Sequence, residues 1–250
     1  MIPPRGGART RPSPEAQTPS VQVSDLLLPA PQPNRIAPGH RRGYRIAKRA
    51  LDLVASLLLL LALLPLLVLL ALAVLTTSPG PVLFRQVRAG RRGEPFVMLK
   101  FRSMRADCDD AAHRAYVTAL LTQDVPPDGG EPGVYKIASD PRITRVGGLM
   151  RRTSLDELPQ LVNVLLGQMS LVGPRPALPW EVELYEAVHR RRLDVPPGLT
   201  GLWQVSGRNT LTMREALDLD VEYASRCSWS LDLRILYRTP AALRGRSGAR

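Results

Sequence analysis

The chain has 250 residues, a formal net charge of +12 at pH 7 and an aromatic content of only 5%. That length suits about one domain, and the charge calls for anionic partners such as phospholipid headgroups, nucleotide phosphates or nucleic acid. The few aromatic residues do not interleave with Arg and Lys as nucleic-acid stacking platforms do, and Cys108 and Cys227 lack the spacing of a zinc site or a disulfide framework. Two idle thiols in a reducing cytosol are the plain reading.

Residues 1–40 are rich in Pro and small polar side chains and cannot bury enough apolar surface to offset chain entropy, so a disordered tail is expected. Leu26 to Leu28 is too short for the apolar core of a secretory signal. Further on, the 23 residues from Leu53 to Leu75 contain no charged side chain. As one straight helix they would reach roughly 34 Å, enough for a hydrocarbon core. Pro65 lies at the middle, where it removes an N–H and favours a kink between two short arms. Residues 41–49 carry five Arg/Lys, and Arg85 to Arg105 carry seven against Glu94 alone. A spanning helix has its Lys/Arg excess on one side, so basic flanks at both ends favour a re-entrant segment over a true span. Asp52, just before the run, is expected to snorkel or to cap the helix start.

After the Pro/Gly break at Thr76 to Pro81, two β-prone runs, Val82–Val87 and Pro95–Phe101, predict a hairpin turning near Gly90 and Gly93. Its basic residues suit a solvated face against headgroups as well as a site. A helix is expected over Ala106–Leu121 and a loop over Thr122–Gly133, whose acids lack metal-loop spacing. Thr212-Met-Arg-Glu215 has the form of a helix capping box, and Trp229 to Tyr237 reads either as a helix lying in a membrane interface or as a core helix.

The stretch with chemistry is Arg151-Arg-Thr-Ser-Leu-Asp-Glu157. Ser154 with Glu157, or Thr153 with Asp156, matches a capping box. The same carboxylates, at a helix N-terminus among arginines, would be held ionised, as a nucleophile attacking phosphorus requires. An adjacent pair also suffices for Mg²⁺, which keeps waters and substrate phosphate among its ligands. Capping and catalysis are compatible. Downstream, Gly173-Pro-Arg-Pro176 holds Arg175 in a stiff segment suited to phosphate, and Pro197 to Asn209 combines glycines with Arg208.

Together the strings KRALDL (from Lys48), SPGPVLFRQ (from Ser78), KFRSM (from Lys100), DPRITRVG (from Asp140), TSLDELPQLVNVL (from Thr153), MSLVGPRP (from Met169) and PGLTGLWQVSGRN (from Pro197) closely resemble the bacterial sugar transferases known as monotopic phosphoglycosyl transferases, over about residues 46–240. The resemblance implies transfer of a sugar 1-phosphate from a UDP-sugar to a polyprenol (undecaprenyl) phosphate, giving polyprenyl-diphosphate-sugar and UMP. UDP-glucose or UDP-galactose would be the donor, at the start of exopolysaccharide or other glycoconjugate synthesis. It further implies Asp156 as the nucleophile that forms a covalent phosphosugar intermediate, with Glu157 and Mg²⁺ assisting and both carboxylates as metal ligands. Lys100, Arg175 and Arg208 would contact phosphates, and Asp232 would support the site from the substrate-binding side. Implied partners are the UDP-sugar, the polyprenyl phosphate, anionic membrane lipids and downstream glycosyltransferases, with no nucleic acid.

Two departures stand out. The family breaks its membrane helix at Ser-Pro, where this chain has Leu64-Pro65, and it reads Glu-Asn-Trp-Ser where this chain has Ser225-Arg-Cys-Ser228, leaving Trp229 as the substitute anchor. Larger members carry further membrane helices upstream, and the first 40 residues hold none, so a minimal catalytic unit is expected. The expected fold is α+β and mainly helical, with a re-entrant kinked membrane helix over 51–75, a small β-hairpin and interfacial amphipathic helices. Its parts are a tail over 1–40, the catalytic domain over 41–240 and a basic tail over 241–250, on the cytosolic face of the bacterial inner membrane. Non-catalytic membrane scaffolds and membrane-tethered nucleic-acid binders are the competing classes.

Overall fold

The computed structural model describes residues 41–104, 111–123, 142–207 and 211–244. The N-terminal tail, the expected loop from residue 124 onward, Cys108, Asp140 and Arg208 lie outside the described residues.

The apolar run is divided between two helices, α1 (Arg41–Ala62) and α2 (Leu64–Thr77), bent by 63° at the break. No single described helix is long and apolar enough to cross a membrane. Pro65 lies in the first turn of α2, where a missing N–H costs nothing, and the chain breaks there because the ring cannot continue α1. The helix starts well before residue 51, since Tyr44 to Ala50 contains no breaker, so the basic residues 41–49 are its opening turns and not a flank.

Helix α1 is built with its polar stripe inward. Tyr44, Lys48, Asp52 and Ser56 recur at four-residue intervals and therefore share one face. Lys48 Nζ lies 2.8 Å from Asp232 Oδ2, Asp52 Oδ1 accepts the Leu171 N–H at 3.0 Å, and Ser56 is fully buried. Asp52 thus neither snorkels nor caps its helix. It satisfies a buried backbone donor that would otherwise cost about 1–3 kcal/mol. Arg49 donates to the Val164 and Leu165 carbonyls at 2.6 and 2.8 Å, capping the helix that follows the carboxylate pair. Meanwhile most leucines of the pair face outward, with Leu58, Leu61 and Leu69 60%, 61% and 63% exposed. A helix in water shows the opposite arrangement.

The hairpin forms as predicted. Strands β1 (Leu83–Ala89) and β2 (Pro95–Phe101) are antiparallel, with Phe84 opposite Lys100 and Arg88 opposite Phe96. Period-two alternation puts Phe84, Gln86, Arg88, Phe96, Met98 and Lys100 on one face. There Phe96 and Met98 enter the main core with Leu161 and Val164 of α5 (Gln160–Leu165), Leu171 and Val172 of β3 (Ser170–Val172), and Tyr223, Leu231 and Ile235. Each such side chain contributes about 1.5–3 kcal/mol by leaving water. On the other face Phe101 meets Leu70 and Val74 of α2 and Met150 of α4 (Arg145–Thr153), which seats the bent pair on the hairpin.

Short β3 runs parallel to β4 (Gly198–Thr200). The two backbones approach so closely that a Cβ on Gly198 would lie 2.0 Å from the Gly173 nitrogen, so both positions need glycine. The described part of the expected 106–121 helix is α3 (Ala111–Gln123). The sequence between β3 and the C-terminal helices adds α6 (Pro179–Leu184), a 3-10 segment His189–Asp194 and α7 (Leu202–Val205). The last two helices are α8 (Met213–Arg226) and α9 (Trp229–Arg244). The capping box of α8 forms, Thr212 Oγ1 accepting from Glu215 N at 3.2 Å and Glu215 Oε2 from Thr212 N at 2.7 Å. Helix α8 is a core helix, burying Leu217, Leu219 and Tyr223. Helix α9 is two-faced: Leu231 and Ile235 are buried, and Tyr237 is 87% exposed. Trp229 packs edge-on against Tyr44 at 5.7 Å between ring centroids.

Candidate active site

The Asp-Glu pair sits in a 3-10 turn, Leu155–Glu157, wedged between α4 and α5. Neither capping box proposed for it forms. The Thr153 hydroxyl donates back to the Leu149 and Met150 carbonyls at 2.9 and 3.2 Å, and Ser154 adopts a left-handed φ of 58° as the end of α4. An N-cap needs extended backbone, so a residue in this conformation ends one helix instead of starting the next. Glu157 does not cap, and its carboxylate turns to the hairpin, where Lys100 Nζ donates to Oε1 at 3.2 Å. Asp156 is buried beside it, 8% exposed.

A cleft opens at this point between the hairpin, the turn and the β3/β4 pair, lined among others by Arg88, Lys100, Glu157, Gln160, Arg175 and Gln204. Three cations share one small space, and two of them are shifted. Burial pushes the Lys100 ammonium below the usual lysine range; Glu157 opposes that shift, Arg175 adds to it, and Asp156 opposes it more weakly. Arg88 is pushed down to about 10, first by burial and then by Arg175. A surplus of positive charge held out of water is a standing site for an anion.

Arg175 is held by its backbone, which leaves the guanidinium at the cleft. The Arg175 carbonyl accepts from Arg192 Nη2 at 2.7 Å, and the Pro176 carbonyl accepts from Arg88 Nη1 at 3.0 Å. Arg192 is in turn fixed by a buried ion pair with Asp220 and by donation to the Tyr185 hydroxyl at 2.7 Å. The stiffness expected of Gly173-Pro-Arg-Pro176 is therefore reinforced from both sides.

Of the residues singled out in the sequence, Lys100, Glu157 and Arg175 line this one cleft and Asp156 adjoins it. Asp232 is placed elsewhere. Its oxygens accept from Tyr44, Lys48 and Tyr223 at 2.6, 2.8 and 2.7 Å, tying α1 to α8 and α9. A solvated, headgroup-facing surface is the other expectation for Lys100 and Arg102, and the fold decides against it: alternation from the buried Phe96 and Met98 turns Lys100 toward the cleft, and Arg102 is 5% exposed. Sequence reasoning missed Arg88, Gln160 and Gln204. Arg88 was detectable, since it stands an even number of residues from Phe84 across the strand from core-facing Phe96; the two glutamines carry no local signal.

Residues 43–246 match the profile described as bacterial sugar transferase. The chain belongs to that family. The chain is 38% identical over 200 residues to the exopolysaccharide production protein ExoY of Rhizobium meliloti, covering 79% of this chain and 85% of that one. It is 39% identical to the galactosyl transferase CpsE of Streptococcus agalactiae over 80% of this chain and 42% of the other. It is 41% identical to the UDP-glucose:undecaprenyl-phosphate glucose-1-phosphate transferase of Escherichia coli, with 78% of this chain and 39% of that protein covered. The chain thus spans about two fifths of the length of the larger relatives and most of the smaller one. The elements named above begin inside the matched region, apart from α1, which begins two residues before it.

Proposed function

We propose that the protein transfers a sugar 1-phosphate from a UDP-sugar to a polyprenyl phosphate in two displacement steps. The observation that carries this reading is the meeting of Asp156 and Glu157 with Lys100, Arg88 and Arg175 at one cleft. In the first step an Asp156 carboxylate oxygen attacks the phosphorus that bears the sugar. The bond from that phosphorus to the bridging oxygen breaks and UMP leaves with the electron pair. In the second step a phosphate oxygen of the acceptor attacks the same phosphorus, the aspartyl bond breaks, and the carboxylate is regenerated with polyprenyl-diphosphate-sugar as product. Lys100, Arg88 and Arg175 neutralise the diphosphate, and the buried setting strengthens each of these attractions.

The donor set suits a hard divalent ion. Asp156 and Glu157 are adjacent oxygen ligands, and no group of three or more His, Cys, Asp or Glu side chains fit to hold a metal occurs among the described residues. Two carboxylates completed by water and substrate phosphate is the usual way of holding Mg²⁺, which would supply charge neutralisation at the diphosphate. The bare pair is thus expected to bind Mg²⁺ weakly without nucleotide.

Polar side chains turned inward, most leucines turned outward and a 63° bend between the two helices support a membrane-embedded, re-entrant reading. The pair would hold the cleft at the cytosolic headgroup plane, where a lipid acceptor presents its phosphate. Single cysteines at Gly43 and Gly80 are expected to react with an impermeant reagent from the same, cytosolic side. Labelling from opposite sides would mean a true span.

The defining assay offers a panel of UDP-sugars to the detergent-solubilised protein with Mg²⁺ and undecaprenyl phosphate and measures UMP. Absence of UMP with every sugar would reject the reading, and the panel would identify the sugar. The shift of Lys100 adds a pH signature. Its proton is held less tightly than in free lysine, so the cation is present below the lowered value and lost above it. For the free enzyme, kcat/KM is expected to decline on the alkaline side below the ordinary lysine range, and Lys100→Arg is expected to move that limb upward. An unmoved limb would remove Lys100 from phosphate binding.

A further inference from the structure

The cleft accounts for the donor's phosphates, but the hairpin face that lines it continues past Lys100 toward the bent helix pair. The ladder extends one step, with Arg102 N donating to the Val82 carbonyl at 2.9 Å, so Arg102 falls on the same side as Lys100. The Arg102 side chain is 5% exposed. Its Nη2 donates to the Ser78 carbonyl, and to Ser78 Oγ at 3.0 Å, at the end of α2. Its Nε and Nη1 are buried with no hydrogen-bond partner. A buried guanidinium with two unsatisfied donors is costly, and no acid pairs with it among the described residues. Nη1 occupies the space a side chain on Gly80 would fill, since a Cβ there would lie 2.4 Å away. Gly80 has a φ of 115°, and the Ser78–Gly80 turn closes over the cation.

A second observation lies on the same face. Phe84, the direct cross-strand partner of Lys100, is 45% exposed although it stands beside the most polar part of the molecule. Leu72 and Leu75 of α2, 56% and 53% exposed, precede that turn. An exposed aromatic ring thus stands beside the site cation.

Resting on the acceptor class proposed above, we infer that Arg102 and Phe84 form the acceptor seat. The guanidinium takes the phosphate of the polyprenyl phosphate as it displaces the Ser78 contacts, and the Phe84 ring packs against the first isoprene units. Two unsatisfied N–H groups on one guanidinium match two phosphate oxygens, and one ring beside the cation fits an apolar tail that starts directly at the phosphate. A helix C-cap alone would use Nη2 and would give no reason for the exposed ring.

The test separates this seat from the donor chemistry. Binding of farnesyl phosphate to the detergent-solubilised full chain is measured without donor, and UMP release in the first step is measured without acceptor, for wild type, Phe84→Ala and Arg102→Lys. Both variants are expected to bind farnesyl phosphate about tenfold or more weakly while first-step UMP stays within about twofold of wild type. Phe84 is exposed, so its variant keeps the test valid even if Arg102→Lys fails to fold. Unchanged binding in Phe84→Ala, or first-step UMP falling in parallel with binding, would overturn the seat. So would complete displacement of farnesyl phosphate by excess phosphatidylglycerol, which would mark a general headgroup site. No first-step UMP from wild type, with binding still lost in the variants, would reject the transferase reading and support the seat.

Discussion

Asp156→Asn is expected to abolish UMP release, by on the order of 10⁴-fold or more, with thermal stability close to wild type. The substitution keeps the shape of a buried side chain and removes the nucleophilic charge, so lost turnover would reflect chemistry and not packing. Glu157→Gln should behave differently, because Glu157 is the acceptor of the Lys100 ion pair. There the Lys100 cation loses its stabilising partner, its proton is held still more loosely, and the alkaline limb of kcat/KM is expected to move further down. Equal UMP release from wild type and Asp156→Asn would leave the carboxylate pair without the proposed role, and a non-catalytic scaffold would then be the better account. The donor alone supplies the critical readout, since a covalent mechanism predicts a burst of UMP without acceptor and a direct displacement does not.

The second large effect concerns Asp232. Placed by resemblance on the substrate side, it is found holding Tyr44, Lys48 and Tyr223 together at 2% exposure. Asp232→Ala would leave a nearly buried ammonium and the Tyr44 hydroxyl without their acceptor, while Tyr223 keeps the Val172 carbonyl, a loss of about 3–5 kcal/mol. For a domain of this size that lowers Tm by roughly 10 °C or more. Replacing both charges, Lys48→Met with Asp232→Leu, is expected to recover much of the loss, because no charge is then stranded. Unchanged Tm with weakened donor or acceptor binding would return Asp232 to a substrate-contacting role.

These two acids show what could be read from the sequence and what could not. The hairpin was legible because β-prone runs and a Gly-containing turn are local signals, and the α8 capping box because its residues are three apart. The kink was legible from Pro65 alone, though the angle was not. Misreadings arose where distant segments decide. Ser154 looks like an N-cap by spacing, yet the reversal after α4 puts it in left-handed backbone, a conformation that no pattern of neighbours announces. Asp52 looked like an interface residue because it borders an apolar run, while its partner is the Leu171 backbone, 119 positions away. Arg88 and Lys100 became cleft residues only when Phe96 and Met98 fixed which side of the hairpin is buried.

The inward polar stripe of α1 also sets an order of assembly. Arg49 finds its acceptors 115 positions downstream, Asp52 its donor 119 downstream, and Tyr44 and Lys48 theirs 188 and 184 downstream. A nascent chain that has only its first hundred residues outside the ribosome therefore holds a helix whose polar stripe lacks these partners. Packing of that stripe is complete only once Asp232 has emerged, so a chain truncated before Asp232 is expected to leave Tyr44 and Lys48 without this acceptor.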